Sequence, residues 1–485
     1  MIPDVEALPA NVDLAIIGAG PAGLAASATA ARHGLRVLML DENPGVGGQI
    51  YRAISANPVK RQAMLGADYW RGEALVKEAA ASSAQHAAGA AVWSVSPQDA
   101  AGYEIGISMA GRSRMITARE VMLATGALER PFPIPGWTLP GVMSCGGAQT
   151  ALKASGLVPD GRIVIAGCGP LLWLLAWQYL NAGVSIAAIL ETTPRTNWFN
   201  ALPHLPAFLA SPYLAKGLKL MLAVRAKVRV VTGVRALRAE GAKDAEGTDK
   251  VETVVYTRAG HEARIAVDTL LLHQGVVPSI NLSNAIGCRH SWDDAQLTWK
   301  PETDSWGMTS MPGLTVAGDS TGIAGAETAA ERGRIAALGT AYRLGKVDAA
   351  MRDRDAAASR ATLRRFERGR RFLDILYRPA KTFRIPQGDT IVCRCEEVTA
   401  KRIRATVPLG ATGPNQMKSF LRCGMGPCQG RLCGLTVAEL IADERGVSPQ
   451  QVGYYRLRPP VKPIALGELA AMPKTEASEQ AVVRV

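Results

Sequence analysis

Histidine and aromatic residues are scarce in this chain, with 6 His among 485 residues and Phe, Trp and Tyr together at 5%. None of His33, His86, His204, His261, His273 and His290 stands in a motif with a neighbouring acid or nucleophile, so the sequence displays no substrate machinery of its own and no catalytic residue is assigned. With so few aromatics there is no ladder of stacking side chains of the kind that holds single-stranded nucleic acid. The net charge of +13 comes from 55 Lys and Arg against 42 Asp and Glu. Those cations are scattered, clustering only near 360–371 and 401–404, and no nucleic-acid partner is expected. No Cys-x-x-Cys occurs outside the cysteine-rich stretch near the C-terminus, which excludes a local redox dithiol elsewhere. Long apolar runs are interrupted: 12–31 and 163–180 contain glycines and read as buried strand–helix units, not membrane spans. The opening MIPDVEALPANVD is acidic and lacks the basic region and cleavage site of a secretory signal. The expected location is cytoplasmic, with peripheral attachment to the inner membrane as the one departure allowed.

A chain this long exceeds one ordinary core, and two to four domains are expected. The first begins with a complete β-α-β unit. Residues 12–17 form a short apolar strand, followed by Gly18-Ala-Gly20-Pro21-Ala22-Gly23, an Ala-rich helix over 24–33, and a second strand over 36–40 that ends at Asp41. The first glycine allows a tight turn, the second lets a pyrophosphate approach the backbone, and the third lets the helix pack on the sheet with its N-terminal dipole aimed at phosphate. Asp41 lies where a carboxylate accepts hydrogen bonds from an adenosine ribose, with Glu42 beside it as the substitute. A second unit starts at 162–170 with Gly167 and Gly169 in place, but Leu172 stands at the third glycine position. A branched side chain there holds the helix away from the sheet, which weakens the case for a nicotinamide nucleotide. Glu191 would contact its ribose if one bound.

Between Ile391 and Cys433 lie five of the eight cysteines. Thiolates at that density suit soft iron or zinc better than disulfides in a reducing compartment. Cys393-x-Cys395 is followed after 32 residues by Cys428 and after four more by Cys433, so two close pairs must converge. Cys393, Cys395, Cys428 and Cys433 are the favoured ligands, and Cys423 is a fifth thiol able to replace Cys428 or Cys433. The arginines (Arg394, Arg422, Arg431) and glycines (Gly424, Gly426, Gly430) among them suit an anionic cluster wrapped by backbone N–H groups. A zinc knuckle is the alternative.

The C-x-C and second close pair resemble the BFD-like [2Fe-2S] domain, a small helical unit. Gly45-Val-Gly-Gly48-Gln49-Ile resembles the loop that covers the flavin pyrophosphate in two-dinucleotide-binding-domain flavoproteins. Val121-Met-Leu-Ala124-Thr125-Gly126 resembles that family's crossover motif, and Leu314-Thr-Val-Ala-Gly318-Asp319 its third motif, in which Asp319 would bond the flavin ribityl chain. The alternative for Asp319 is a helix cap. The resemblance implies an α/β fold of two Rossmann-like domains plus the iron–sulfur domain. The corresponding division is 1–150 with 290–345 for FAD, 151–289 for the second Rossmann-like domain, 346–388 as a helical linker, 389–450 for the cluster, and 451–485 as an arm whose last dozen residues are expected to be disordered.

Taken together with Gly136–Gln149 (GWTLPGVMSCGGAQ) and Pro301–Asp319, the whole chain resembles the A (alpha) subunit of the octopine and nopaline oxidase family, which includes hydrogen cyanide synthase and D-hydroxyproline dehydrogenase subunits. That resemblance implies an electron-transferring subunit. A catalytic flavoprotein beta subunit, similar to D-amino-acid or sarcosine oxidases, oxidises an opine or D-amino acid, and some complexes include a small third subunit. Electrons leave through flavin and [2Fe-2S] to a quinone or other acceptor. FMN is implied at the subunit interface, and FAD, ATP or NAD in the first site. Two rival readings remain: a self-sufficient NAD(P)H reductase, and a structural or iron-sensing subunit.

Overall fold

The computed structural model describes residues 2–473, apart from 60, 61, 99–101, 244–246 and 248; the tail expected to be disordered lies outside this range. The β-α-β unit forms as the hydrophobic pattern dictates. β1 (Asn11–Ile17) is buried along six of its seven residues, as a strand covered on both faces must be. It pairs in parallel with β2 (Val37–Asp41) on one side and with β6 (Arg112–Leu123) on the other. Between β1 and β2 runs α1 (Pro21–Arg32), with Pro21 in its first turn where no intrahelical N–H is lost. β3 (Gln85–Ala88) extends the sheet beyond β2, and β4 (Ala91–Pro97) and β5 (Tyr103–Met109) extend it antiparallel beyond β6. The chain returns near residue 314, where Leu314–Val316 pairs in parallel with the end of β6 and completes the domain. The helix Ala326–Arg343 then packs on α1 so tightly that a Cβ at Gly333 would lie 2.1 Å from the Ala22 carbonyl oxygen.

The second domain is a parallel sheet in the order Val230–Thr232, Ile186–Glu191, Ile163–Gly167, Thr269–His273 and Val142–Ser144. Its outermost strand corrects the boundary drawn at 151: Val142–Ser144 pairs with Leu270–Leu272, so the second domain begins before the glycine-containing helix Cys145–Ser155. An antiparallel three-stranded sheet, Val234–Lys243, Asp249–Arg258 and His261–Ala266, is attached to it.

The charged segment read as a spacer is packed. Ala356, on the helix Ala349–Glu367, is fully buried in one cluster with Ile335 and Leu338 of the preceding helix. The Arg352 and Arg360 guanidinium groups lie over the Trp306 ring at 4.2 and 4.4 Å, so cations on that face bind an aromatic instead of water. Beyond it, the strand Ile391–Cys393 and the helices Ala400–Thr406, Pro414–Leu421 and Gly434–Arg445 form a separate core around Val392, Met417, Val437 and Tyr455. The arm then crosses back to the first domain, where the Val461 N–H donates to the Trp93 carbonyl of β4.

Candidate dinucleotide and thiolate sites

Each glycine of the first turn has a distinct physical reason to be there. Gly18 adopts φ +111°, and a Cβ on it would lie 2.4 Å from the Ala124 carbonyl oxygen. A Cβ on Gly23 would lie 1.8 Å from the Gly18 carbonyl oxygen. Gly20 differs: its φ of −75° is open to any residue, and a Cβ there would meet only the Gly48 Cα at 3.8 Å. The fold itself does not require glycine at 20, whereas a phosphate lying against the backbone at the start of α1 does. Gly48, on the overlying loop, has φ +60° and approaches Gly20 closely; the loop is held by the Gly47 N–H donating to the Ala19 carbonyl at 2.8 Å. Gln49 on that loop accepts from Arg52 at 3.0 Å.

Asp41 is buried at the end of β2. Its Oδ2 accepts from the Ala19 N–H at 2.6 Å, and its Oδ1 from the Asn43 backbone N–H and side-chain amide at 2.8 Å each. The carboxylate thus braces the glycine turn. Glu42, by contrast, is ion-paired to Lys462 of the arm. Burial pushes the Lys462 ammonium pKa down, and the nearby Asp41 charge opposes that shift. No sequence pattern brings residue 462 to residue 42.

The other two motifs meet at one corner of the first domain. Thr125 Oγ1 donates to the Ser279 carbonyl at 3.2 Å and lies 3.2 Å from Ser320 Oγ, while Ser320 Oγ donates to the Gly126 carbonyl at 3.1 Å. Gly318 adopts φ +76°, and a Cβ there would lie 2.8 Å from that of Ala22. Asp319 Oδ1 accepts from the Ala324 and Gly325 N–H groups at 2.9 and 3.1 Å. In this structure it holds the turn that leads into the helix Ala326–Arg343, whose N-cap is Gly325 with no side-chain cap, so the bonds lie before the helix and do not cap it. Gly18–Gly23, Asp41, Gly48, Gln49, Ala124–Gly126, Gly318 and Asp319 thus all lie at the C-terminal strand ends of the first sheet or in the turns and helix start that follow them, the end where open α/β sheets take ligands.

The equivalent crevice of the second unit is covered by the chain itself. Leu172 is fully buried. The short helix Arg370–Leu376 lies against the helix Arg195–Ala201, and Asn197 Nδ2 donates to the Leu376 and Arg378 carbonyls at 3.0 and 2.8 Å. The Tyr377 carbonyl sits 3.6 Å from the Cys168 sulfur, inside the Gly167–Gly169 turn. Burial, and then the neighbouring Glu191 and Cys168 groups, push the Tyr377 phenol pKa up. Glu191, itself raised by burial, is therefore beside a tyrosine of this chain. A further pair went unmarked in the sequence because its members are 144 positions apart: His273 Nδ1 lies 2.6 Å from Glu129 Oε1, and the other Glu129 oxygen accepts from the Gly146 N–H at 2.7 Å.

In the third domain the ligand atoms of Cys393, Cys423 and Cys433 all lie within 4.8 Å of one another and are buried. Cys393 ends a strand, Cys433 immediately precedes the helix Gly434–Arg445, and Cys423 follows Arg422, which turns the chain with φ +58°. Hydrogen bonds from Cys423 and Cys433, with the Gly424 and Glu396 N–H groups, hold the Cys393 thiol far below its ordinary range against the effect of burial. Cys395 is exposed and Cys428 half-buried; the two are hydrogen-bonded to each other, and burial raises the Cys395 pKa. The favoured four thus fall into two groups, Cys393 with Cys433 and Cys395 with Cys428, and Cys423 joins the first. The glycines serve packing: Cβ atoms at Gly424 and Gly430 would strike the Tyr455 ring at 2.5 and 2.7 Å, and one at Gly426 would lie 2.3 Å from the Cys395 Cβ. Tyr455, fully buried with its hydroxyl 3.9 Å from the Cys433 sulfur, was not marked by the cysteine pattern. Three converging thiols with backbone N–H donors, a second thiol pair on the same loops, and no carboxylate or imidazole among the three converging ligand atoms fit a thiolate-bound metal group.

Fold and site together define an oxidoreductase built on two dinucleotide-binding domains. Residues 12–336 match the pyridine nucleotide-disulphide oxidoreductase family, and 387–473 match the sarcosine oxidase A3 domain. The chain belongs to the family of the opine oxidase A subunits: it is 49% identical over 475 residues to the opine oxidase A subunit of Rhizobium meliloti, covering 97% of this chain and 89% of that one. It is 31% identical over 470 residues to "Hydrogen cyanide synthase subunit HcnB" of Pseudomonas protegens, covering 93% and 95%. Among solved structures, L-proline dehydrogenase from P. horikoshii shares the fold at a TM-score of 0.70 and 19% identity, covering 95% of this chain and 79% of that one. The opine oxidase and hydrogen cyanide synthase relatives are both named as subunits.

Proposed function

We propose that this chain is the electron-transferring subunit of a flavin-dependent dehydrogenase in which a partner oxidises an opine or D-amino-acid amine and the electrons leave through this chain to a quinone or similar acceptor. The partner is a catalytic flavoprotein of the D-amino-acid or sarcosine oxidase type, joined in some complexes by a small third subunit, with FMN at the contact between the two large chains. The location read from the sequence is the cytoplasm, with peripheral attachment to the inner membrane as the one departure allowed. A flavin supplies the exchange between two-electron and one-electron steps, and a [2Fe-2S] cluster accepts one electron at a time.

The observation that carries the reading is the gathering of five thiols in one small domain, three of them buried and mutually close, on a chain whose sequence displays no substrate machinery of its own. Cys393, Cys433, Cys395 and Cys428 hold the cluster; Gly20, Gly23 and the start of α1 take the pyrophosphate of FAD, or of another adenine nucleotide, with Asp41 bracing the turn. Tyr377 over Cys168 and Glu191 counts against the self-sufficient NAD(P)H reductase, because a nicotinamide nucleotide would have to displace a packed segment of the protein.

In the test, the isolated chain is mixed anaerobically with NADH or NADPH and then, together with its catalytic partner, with an opine and an artificial dye. The expected result is no reduction by the nicotinamides and dye reduction only when the partner is present. Rapid flavin reduction by NADH without the partner supports the reductase instead.

A further inference from the structure

Between β-strands Ile186–Glu191 and Val230–Thr232 the chain makes a helical excursion unlike the rest of the surface. Trp198 (53% exposed), Phe199 (72%), Leu202 (51%), Leu209 (55%), Leu218 (51%) and Leu222 (66%) all come from its helices. Such a concentration of exposed large apolar side chains marks an interaction surface. Its charge is one-sided: from Thr192 to Ala239 there is no Asp or Glu, while Arg195, Lys216, Lys219, Arg225, Lys227 and Arg229 are exposed.

The two features share a face. On the helix Tyr213–Arg225, Leu218 and Leu222 stand one turn apart on the solvent side with Lys219 beside them, whereas the Arg225 guanidinium lies over the Trp173 ring at 5.5 Å and Val224 turns inward and is fully buried. The inner side is occupied: Phe208 stacks on Phe372 at 4.3 Å and Trp198 meets the same ring edge-on. Arg195–Leu209 and Tyr213–Arg225 together have the length and apolar content of a membrane span, but they are bent by 115°. A pair bent so sharply, with cations along its exposed face, has the form of a segment that lies in a bilayer surface.

We infer that this excursion docks on an anionic lipid surface, with Phe199, Leu202, Leu218 and Leu222 entering the boundary region and Lys219, Lys227 and Arg229 facing lipid phosphates. Charge complementarity selects this occupant, since the cytoplasmic leaflet is negative and each juxtamembrane cation adds to the attraction. The assignment deepens the peripheral location proposed above, yet it does not depend on electron transfer: a complex without its cluster binds equally well.

The experiment is flotation of the purified complex with vesicles of phosphatidylcholine alone or with about one-third phosphatidylglycerol. The expected result is flotation with the anionic vesicles only, reversed by high salt. Leu218→Glu with Leu222→Glu should abolish it, and Lys219→Ala with Lys227→Ala should reduce partitioning roughly five-fold per cation removed. These side chains are exposed, so circular dichroism should be unchanged. Failure of the wild-type complex to float, or equal flotation of the Leu218→Glu and Leu222→Glu variant, overturns the assignment. So does loss of the catalytic partner from that variant, whatever its vesicle binding, because it would make this face a contact between protein chains.

Discussion

Gly20 and Gly23 stand three residues apart and fail in opposite ways when changed. A side chain at 23 runs into the Gly18 carbonyl oxygen, so Gly23→Ala should destabilise the first domain by at least ~3 kcal/mol and appear as a lowered melting temperature. In Gly20→Val the added Cβ meets only the Gly48 Cα at 3.8 Å; the variant should lower the melting temperature of the nucleotide-free chain far less than Gly23→Ala while abolishing bound adenine nucleotide, read by extraction and chromatography. Full nucleotide occupancy in Gly20→Val would move the site elsewhere. At the thiols, Ser at Cys393, Cys395, Cys428 or Cys433 should eliminate the visible iron–sulfur absorption, and Ser at Cys423 should spare it. Loss at Cys423 with retention at Cys428 would reassign the ligands to the group that already converges in the structure. Asp41, Gly20 and the cysteines were legible in the sequence because their spacing within one turn or one strand end is itself the signal. Tyr455, Lys462 and the Glu129–His273 pair were not, because each gains its role from a chain segment far away in sequence.

Elements are joined by charged pairs of unequal depth. Arg343, on the helix Ala326–Arg343, donates Nε and Nη2 to the two oxygens of Glu120 on β6 at 2.9 and 2.7 Å, and Glu120 is 4% exposed. Removing the arginine leaves a buried carboxylate, so Arg343→Ala should cost roughly 2 kcal/mol, less than a fully enclosed pair because Arg343 itself reaches solvent; chemical denaturation measures it. In the third domain, Asp443 is paired with Lys381 at 2.5 Å and Arg404 at 2.7 Å, and these partners lower its pKa. A depressed carboxylate pKa stabilises the fold above the unfolded value of about 3.9 and loses that contribution as pH falls through the folded value. Asp443→Asn should therefore cost about 1 kcal/mol near neutral pH, and the difference from wild type should shrink as pH falls below the unfolded value of about 3.9 and through the lower folded value. The β-α-β elements were legible because strand burial and helix period match their hydrophobic pattern. The strand Val142–Ser144 was not: three residues are too few to carry a period, and only pairing with Leu270–Leu272 makes them a strand.

For the whole molecule, the two Rossmann-like units and the thiol-rich domain were readable in order, whereas their mutual packing was not. The segment 346–388 looked like a spacer because its charge is high; its cations lie on Trp306, and its end covers the second crevice. Among the described residues that covering leaves the first dinucleotide turn open and the second closed, on a chain that belongs to the family of the opine oxidase A subunits; the electron-transferring role proposed above needs only the first. The most direct measurement is electron paramagnetic resonance of the complex frozen after anaerobic addition of its amine substrate, with iron and sulfide assayed on the same sample. The account predicts the signal of a reduced [2Fe-2S] centre, about two irons and two sulfides per chain, and loss of that signal in Cys433→Ser. Zinc bound to the thiols, or a loaded cluster that stays oxidised while the partner turns over, would contradict it.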